Sequence, residues 1–192
     1  YTLLNLVAAA LVLFSLAEAC NLASALIQIA WIAISVAGLA RLVWLNHRIR
    51  FTEEERDLID DAFPGMPAPL ARRLLNRGIW ADWQPGAELT REGETVVHLH
   101  YLRSGRADVF SAGRPIAEIA QGLIGEMKVM EPGPASATAR AGKKARIFSI
   151  PGDTLRRLAA NDSDLRYHIE RHLSLATRRK LIEANARLAD RP

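Results

Sequence analysis

From Ile79 to Ile150 glycine and proline recur throughout, and short β-type runs lie between them. The runs are Ile79 to Trp83, Glu88 to Arg91, Val97 to Leu102, Arg106 to Phe110, Pro115 to Ile119, Ser136 to Arg140 and Ala145 to Ile150. Pro85-Gly86, Gly93-Glu94, Ser104-Gly105 and Ala112-Gly113 supply turn chemistry between them. Val97, Leu99 and Tyr101 alternate with His98, His100 and Leu102, so one set faces each side of a strand. Many short strands with glycine at the corners predict a small barrel or roll.

Helical patterns flank this region. Thr52 with Glu55 three residues later reads as a capping box, and Leu58, Ile59, Ala62 and Phe63 form the apolar stripe behind it. Pro67 and Pro69 start a second helix that ends at Asn76-Arg77-Gly78. After Pro151-Gly152-Asp153, a short helix precedes a long one capped by Asp162 or Ser163. The long helix carries Leu165, Ile169, Leu173, Ala176, Leu181, Ile182 and Leu188.

Charge divides the chain. Residues 1–45 hold only Glu18 and Arg41, whereas the remainder is dense in charge. Leu3 to Ala17 and Leu22 to Leu45 read as two transmembrane spans, the first N-terminally incomplete, joined by a turn at Glu18 to Asn21. Arg41, His47, Arg48 and Arg50 at the end of the second run place the rest in the cytoplasm by the positive-inside rule. The expectation is an integral protein of a bacterial inner membrane, with a membrane region at residues 1–50 and a cytoplasmic domain at 51–192. The fold class is α+β: N-terminal transmembrane helices followed by a jelly-roll-like β-roll flanked by helices. The single cysteine, Cys20, excludes an intrachain disulfide. Lysine and arginine total 25 against 21 acids, a balance that argues against nucleic-acid binding.

The segment from Gly122 to Ala141 carries the chemistry. A glycine precedes the acid at Gly125-Glu126, a Pro-Gly-Pro break follows, and a run of small residues leads into a strand. Three stretches together resemble a cyclic nucleotide-binding domain: Trp83 to Glu94, Leu99 to Val109, and Ile124-Gly125-Glu126 followed by Pro134-Ala135-Ser136-Ala137-Thr138. The resemblance covers roughly residues 52 to 180. The arrangement with membrane spans is similar to bacterial relatives of the Popeye-domain proteins. The resemblance implies a phosphate-binding cassette in which Glu126 takes a ribose hydroxyl and a short helix from about Glu126 offers its amide end to a phosphate. The implied ligand-binding set is Ile124, Gly125, Glu126, Met127, Lys128, Pro134, Ala135, Ser136, Ala137 and Thr138. The family pattern also places an arginine after the proline, to pair with the cyclic phosphate. Here that position is Ala135. Lys128, Arg140 and Arg103 are the candidate substitutes, and Ser136 can donate a hydroxyl.

No Walker loop, dinucleotide fingerprint, nucleophile elbow or catalytic set is present, so an enzyme is not expected. His98 and His100 share a strand face and His168 and His172 a helix face, but neither pair has an evident third metal ligand. Arg178-Arg179-Lys180 reads as a solvated helix face. The resemblance implies a membrane-anchored regulatory sensor for cyclic AMP or cyclic GMP, with no cofactor or metal and a homodimeric state. The alternative is a ligand-free scaffold that oligomerises through its spans and last helix, nucleotide binding having been lost with the arginine.

Overall fold

The computed structural model describes residues 7–8 and 22–189. The chain divides at Arg50 into two units. In the first, helix α1 spans Leu22–Arg48. Apart from residues 7–8, the expected first span, the turn at Glu18 to Asn21 and Cys20 lie outside the described residues.

Among the described residues, no helix is long and apolar enough to cross a membrane. This overturns the expected transmembrane helices and the integral-membrane localisation. The part of α1 whose side chains are described, residues 25–41, interleaves Gln28, Ser35, Gly38 and Arg41 with its apolar residues. The Popeye-like layout rested on those spans and is not shown.

The second unit opens with α2, Glu53–Ala62. Its capping box forms as expected: the Thr52 amide donates to Glu55 Oε2 at 2.9 Å, and the Glu55 amide donates to Thr52 Oγ1 at 3.3 Å. Helix α3, Ala68–Leu75, begins after Pro67, whose fixed φ and missing N–H suit a helix start. Leu58, Ile59, Leu74 and Leu75 turn inward from these two helices.

Six strands follow: β1 Ile79–Trp83, β2 Glu88–Thr90, β3 His98–Ser111, β4 Arg114–Ile119, β5 Gly122–Ile124 and β6 Thr138–Pro151. Their order is β1-β6-β3-β4, with β2 also on β6 and β5 also on β3, and every pairing is antiparallel. Two long strands replace four expected short ones. β3 continues through Ser104-Gly105, where a turn was expected, and β6 continues through Gly142. The register shifts between Leu102 and Ala107, and Gly105 sits at φ +108°. A Cβ at Gly105 would lie 2.7 Å from Ala145 Cα, so glycine there builds a bulge that bends the strand pair without ending it.

The sheet separates two apolar clusters. Leu99, Tyr101 and Ile150 pack against Leu58, Phe63 and Leu74 on the helix side, joined by Leu165, Ile169 and Leu173. The other cluster holds Leu89, Leu102, Ile124 and Ile147 together with four alanines: Ala107, Ala139, Ala141 and Ala145. Val97, expected with Leu99 and Tyr101, precedes β3 and is 63% exposed. Helix α4 spans Gly152–Ala160, and α5 spans Ser163–Ala189. Asp162 caps α5, accepting from the Asp164 and Leu165 amides at 3.0 Å, and it pairs with Arg73. These contacts hold the Asp162 carboxyl below its usual range, the Leu165 amide foremost. Among the described residues, the apolar stripe of α5 is buried at its start, whereas Leu175, Leu181 and Ile182 are exposed.

Candidate functional site

The segment after β5 makes a sharp approach to β3. Gly125 has φ +90°, and a Cβ there would stand 2.7 Å from the His98 carbonyl oxygen and 3.1 Å from Val96 Cγ1. Only glycine fits both the conformation and the space. The expected short helix at Glu126 is reduced to a single turn, in which the Lys128 and Val129 amides donate to the Gly125 carbonyl at 3.3 and 3.1 Å. The two prolines and the glycine at 132–134 stop it from propagating. Arg156 of α4 secures the far side of this turn, donating to the Val129 carbonyl at 2.6 Å.

Glu126 is the central group. Its side chain is only 2% exposed. Lys180 of α5 meets it, Nζ to Oε1 at 2.9 Å, and also donates to the Leu123 carbonyl at 2.5 Å. A buried carboxylate requires such a partner, because an unpaired charge in a dry site is costly. Lys180 was read from the sequence as part of a solvated basic face. Its spacing carries no signal for this contact, because 53 intervening residues bring it to the cassette.

The second half of the cassette is sewn to the β2–β3 connection. Pro134 bridges Thr95, and Ala135 bridges Glu92. The Gly93 amide donates to the Ala135 carbonyl, and the Ala135 amide donates to the Glu94 carbonyl. Thr90 Oγ1 donates to the Ala137 carbonyl at 3.1 Å, and Thr138 Oγ1 accepts from the Glu92 amide at 3.0 Å. Ser136 Oγ lies 3.9 Å from Met127 Sδ, linking the two halves. Ile124 is buried in the alanine-rich cluster. Ala135 is 8% exposed and lines a cleft of about 220 Å³ with Glu88, Thr90, Arg91 and Glu94. The structure therefore gathers Ile124 to Glu126 and Lys180 at one place, and Pro134 to Thr138 along the adjoining connection.

Two candidate arginine substitutes are occupied elsewhere. Arg103 donates to Asp57 at 2.7 Å and pairs with Glu54 on α2. Arg140 binds Glu88 at 2.7 Å. Lys128 is exposed, and its stem runs beside Gly133. Within the roll, His100 is 3% exposed, and its Nδ1 lies 2.7 Å from Ser149 Oγ. Burial and the neighbouring His98 push its pKa down to about 4. Among the described residues, no group of three or more His, Cys, Asp or Glu is placed to hold a metal.

Residues 81–162 match the family model described as the cyclic nucleotide-binding domain. This segment is therefore similar to cyclic nucleotide-binding domains. A family model whose description names no function matches residues 1–47. The domain superposes on a crystal structure of a cyclic nucleotide-binding domain from Methylobacillus flagellatus KT with a TM-score of 0.64 and 22% identity, covering 71% of this chain and 82% of that one. It is also similar to a cyclic nucleotide-binding-like protein from Brucella abortus, at 0.51 and 20%, covering 57% and 99%. The Thermus thermophilus catabolite activator protein gives 0.53 and 22%, covering 67% and 61%. At these identities the likeness is one of fold. No curated protein matches the chain.

Proposed function

We propose that the unit at residues 51–192 is a regulatory module that takes cyclic AMP or cyclic GMP at the cassette and answers through α5. The observation that carries this reading is Gly125-Glu126. A glycine whose conformation admits no side chain precedes a buried acid, the kind of group that accepts a hydrogen bond from a ribose hydroxyl. The adjoining cleft, lined by Glu88, Thr90, Arg91, Glu94 and Ala135, supports the reading by offering a concave, mostly polar surface beside the cassette. Such a module binds its nucleotide without transforming it.

One observation favours a second reading, a ligand-free scaffold. Ala135 stands where the family pattern has arginine, and its backbone amide and carbonyl are both bound to the Gly93-Glu94 turn. In that reading the exposed Leu175, Leu181 and Ile182 of α5 pair two copies of the chain. Isothermal titration of the full chain with cyclic AMP and cyclic GMP separates the two. Measurable binding that weakens at least tenfold in Glu126→Ala supports the sensor. No heat at millimolar nucleotide overturns it in favour of the scaffold.

A further inference from the structure

Lys180 is one residue of a contact whose geometry does more than hold a helix in place. The Glu126 carboxylate is almost wholly covered, and the ammonium of Lys180 sits 2.9 Å from it. A sugar hydroxyl needs the same carboxylate oxygens, and at 2% exposure it has no approach while Lys180 is in place. α5 is attached unevenly. Leu165, Ile169 and Leu173 bury its first half, and among the described residues Ala176 is the last packed on that cluster. Beyond it, Leu181 and Ile182 are exposed. Among the described residues, the second half is held by the two polar bonds of Lys180, to Glu126 and to the Leu123 carbonyl.

We propose that Lys180 is a resident occupant of the nucleotide site, a latch that ligand hydroxyls must displace and whose displacement frees the C-terminal half of α5. The inference rests on the nucleotide reading of the cassette. Ligand and ammonium compete for one carboxylate, so the state with α5 docked and the state with nucleotide bound exclude each other. The closed state thus lowers apparent affinity by the fraction of chains in which the latch is open. Binding and helix release are then the same equilibrium read at two places. The direction is specific: nucleotide loosens this helix segment.

The test compares the full chain with Lys180→Met and Lys180→Arg. Met keeps the apolar stem and removes the ammonium, whereas Arg keeps a cation. Cyclic AMP affinity is measured by titration, and amide hydrogen exchange is followed over residues 177–186. The latch predicts at least about tenfold tighter binding by Lys180→Met, near wild-type binding by Lys180→Arg, and faster exchange at 177–186 on adding cyclic AMP to wild type. The segment should exchange fast in Lys180→Met even without nucleotide. Equal or weaker binding by Lys180→Met, or exchange that ignores nucleotide, overturns the latch while leaving the nucleotide reading standing. If Lys180→Met fails to fold, the exchange response of wild type and Lys180→Arg still decides the latch. Absence of binding of both cyclic AMP and cyclic GMP to all of the chains overturns the nucleotide reading and the latch with it.

Discussion

The two faces of the β-sheet are built for different ends. The face toward the helices is filled by large apolar groups, among them Phe63, Tyr101, Leu74, Leu165 and Ile169, each almost fully buried. The opposite face is lined with Ala107, Ala139, Ala141 and Ala145, and it carries the buried histidine His100. Close packing of bulky side chains stabilises the first face through apolar burial. Small side chains give up part of that gain on the second, where Leu89, Leu102, Ile124 and Ile147 supply the larger apolar groups.

Truncating the first face should give the largest loss. Ile169→Ala, at a fully buried site on α5, is expected to cost about 2–5 kcal/mol in urea denaturation, with nucleotide affinity of the folded fraction unchanged. A small loss there would erase the contrast between the faces.

The second face should respond to acid. The folded-state pKa of His100 is near 4, below the ordinary 6.5. The neutral ring is thus favoured in the fold, and its stabilising contribution is fully present above pH 6.5. It is lost as pH falls toward 4, because the unfolded chain binds the proton first. The shift corresponds to about 3 kcal/mol. His100→Leu should flatten this part of the pH–stability curve, and an unchanged slope would show that the inner face does not carry the titration.

Gly125→Ala tests the cassette itself. The new methyl meets the His98 carbonyl in a strained conformation, which should cost about 1–3 kcal/mol and reduce nucleotide binding more than tenfold. Retained affinity would place the site elsewhere. Thr52→Ala gives the smallest effect, about 1 kcal/mol from the lost cap of α2, seen as a lower melting temperature with no change in binding.

Much of this architecture was legible from local chemistry. Thr52 and Glu55 announce a capping box, Pro67 starts a helix, and Asp162 caps α5, because each acts on residues a few positions away. The alternation of Leu99 and Tyr101 with His100 and Leu102 assigned the two faces of β3 correctly. Errors came where a local sign had two meanings. Ser104-Gly105 looked like a turn, but in an antiparallel pair one glycine is enough for a bulge, and β3 ran on. The turn at Glu126 was too short to be the expected helix, since proline and glycine follow within a few residues. In the N-terminal unit, apolar composition suggested spans, whereas the described stretch of α1 carries Gln28, Ser35, Gly38 and Arg41 within it. Lys180 was invisible because its partner lies 54 positions away in sequence. Only the fold brings an ammonium to a cassette that lacks the family arginine.

The central claim is that a cyclic nucleotide occupies the segment from Gly122 to Thr138. Hydrogen exchange of the full chain, with and without saturating cyclic AMP, reads that segment directly. The account predicts slower exchange of the amides between 125 and 138 when nucleotide is present. Unchanged exchange across those residues, with or without changes elsewhere, would contradict it.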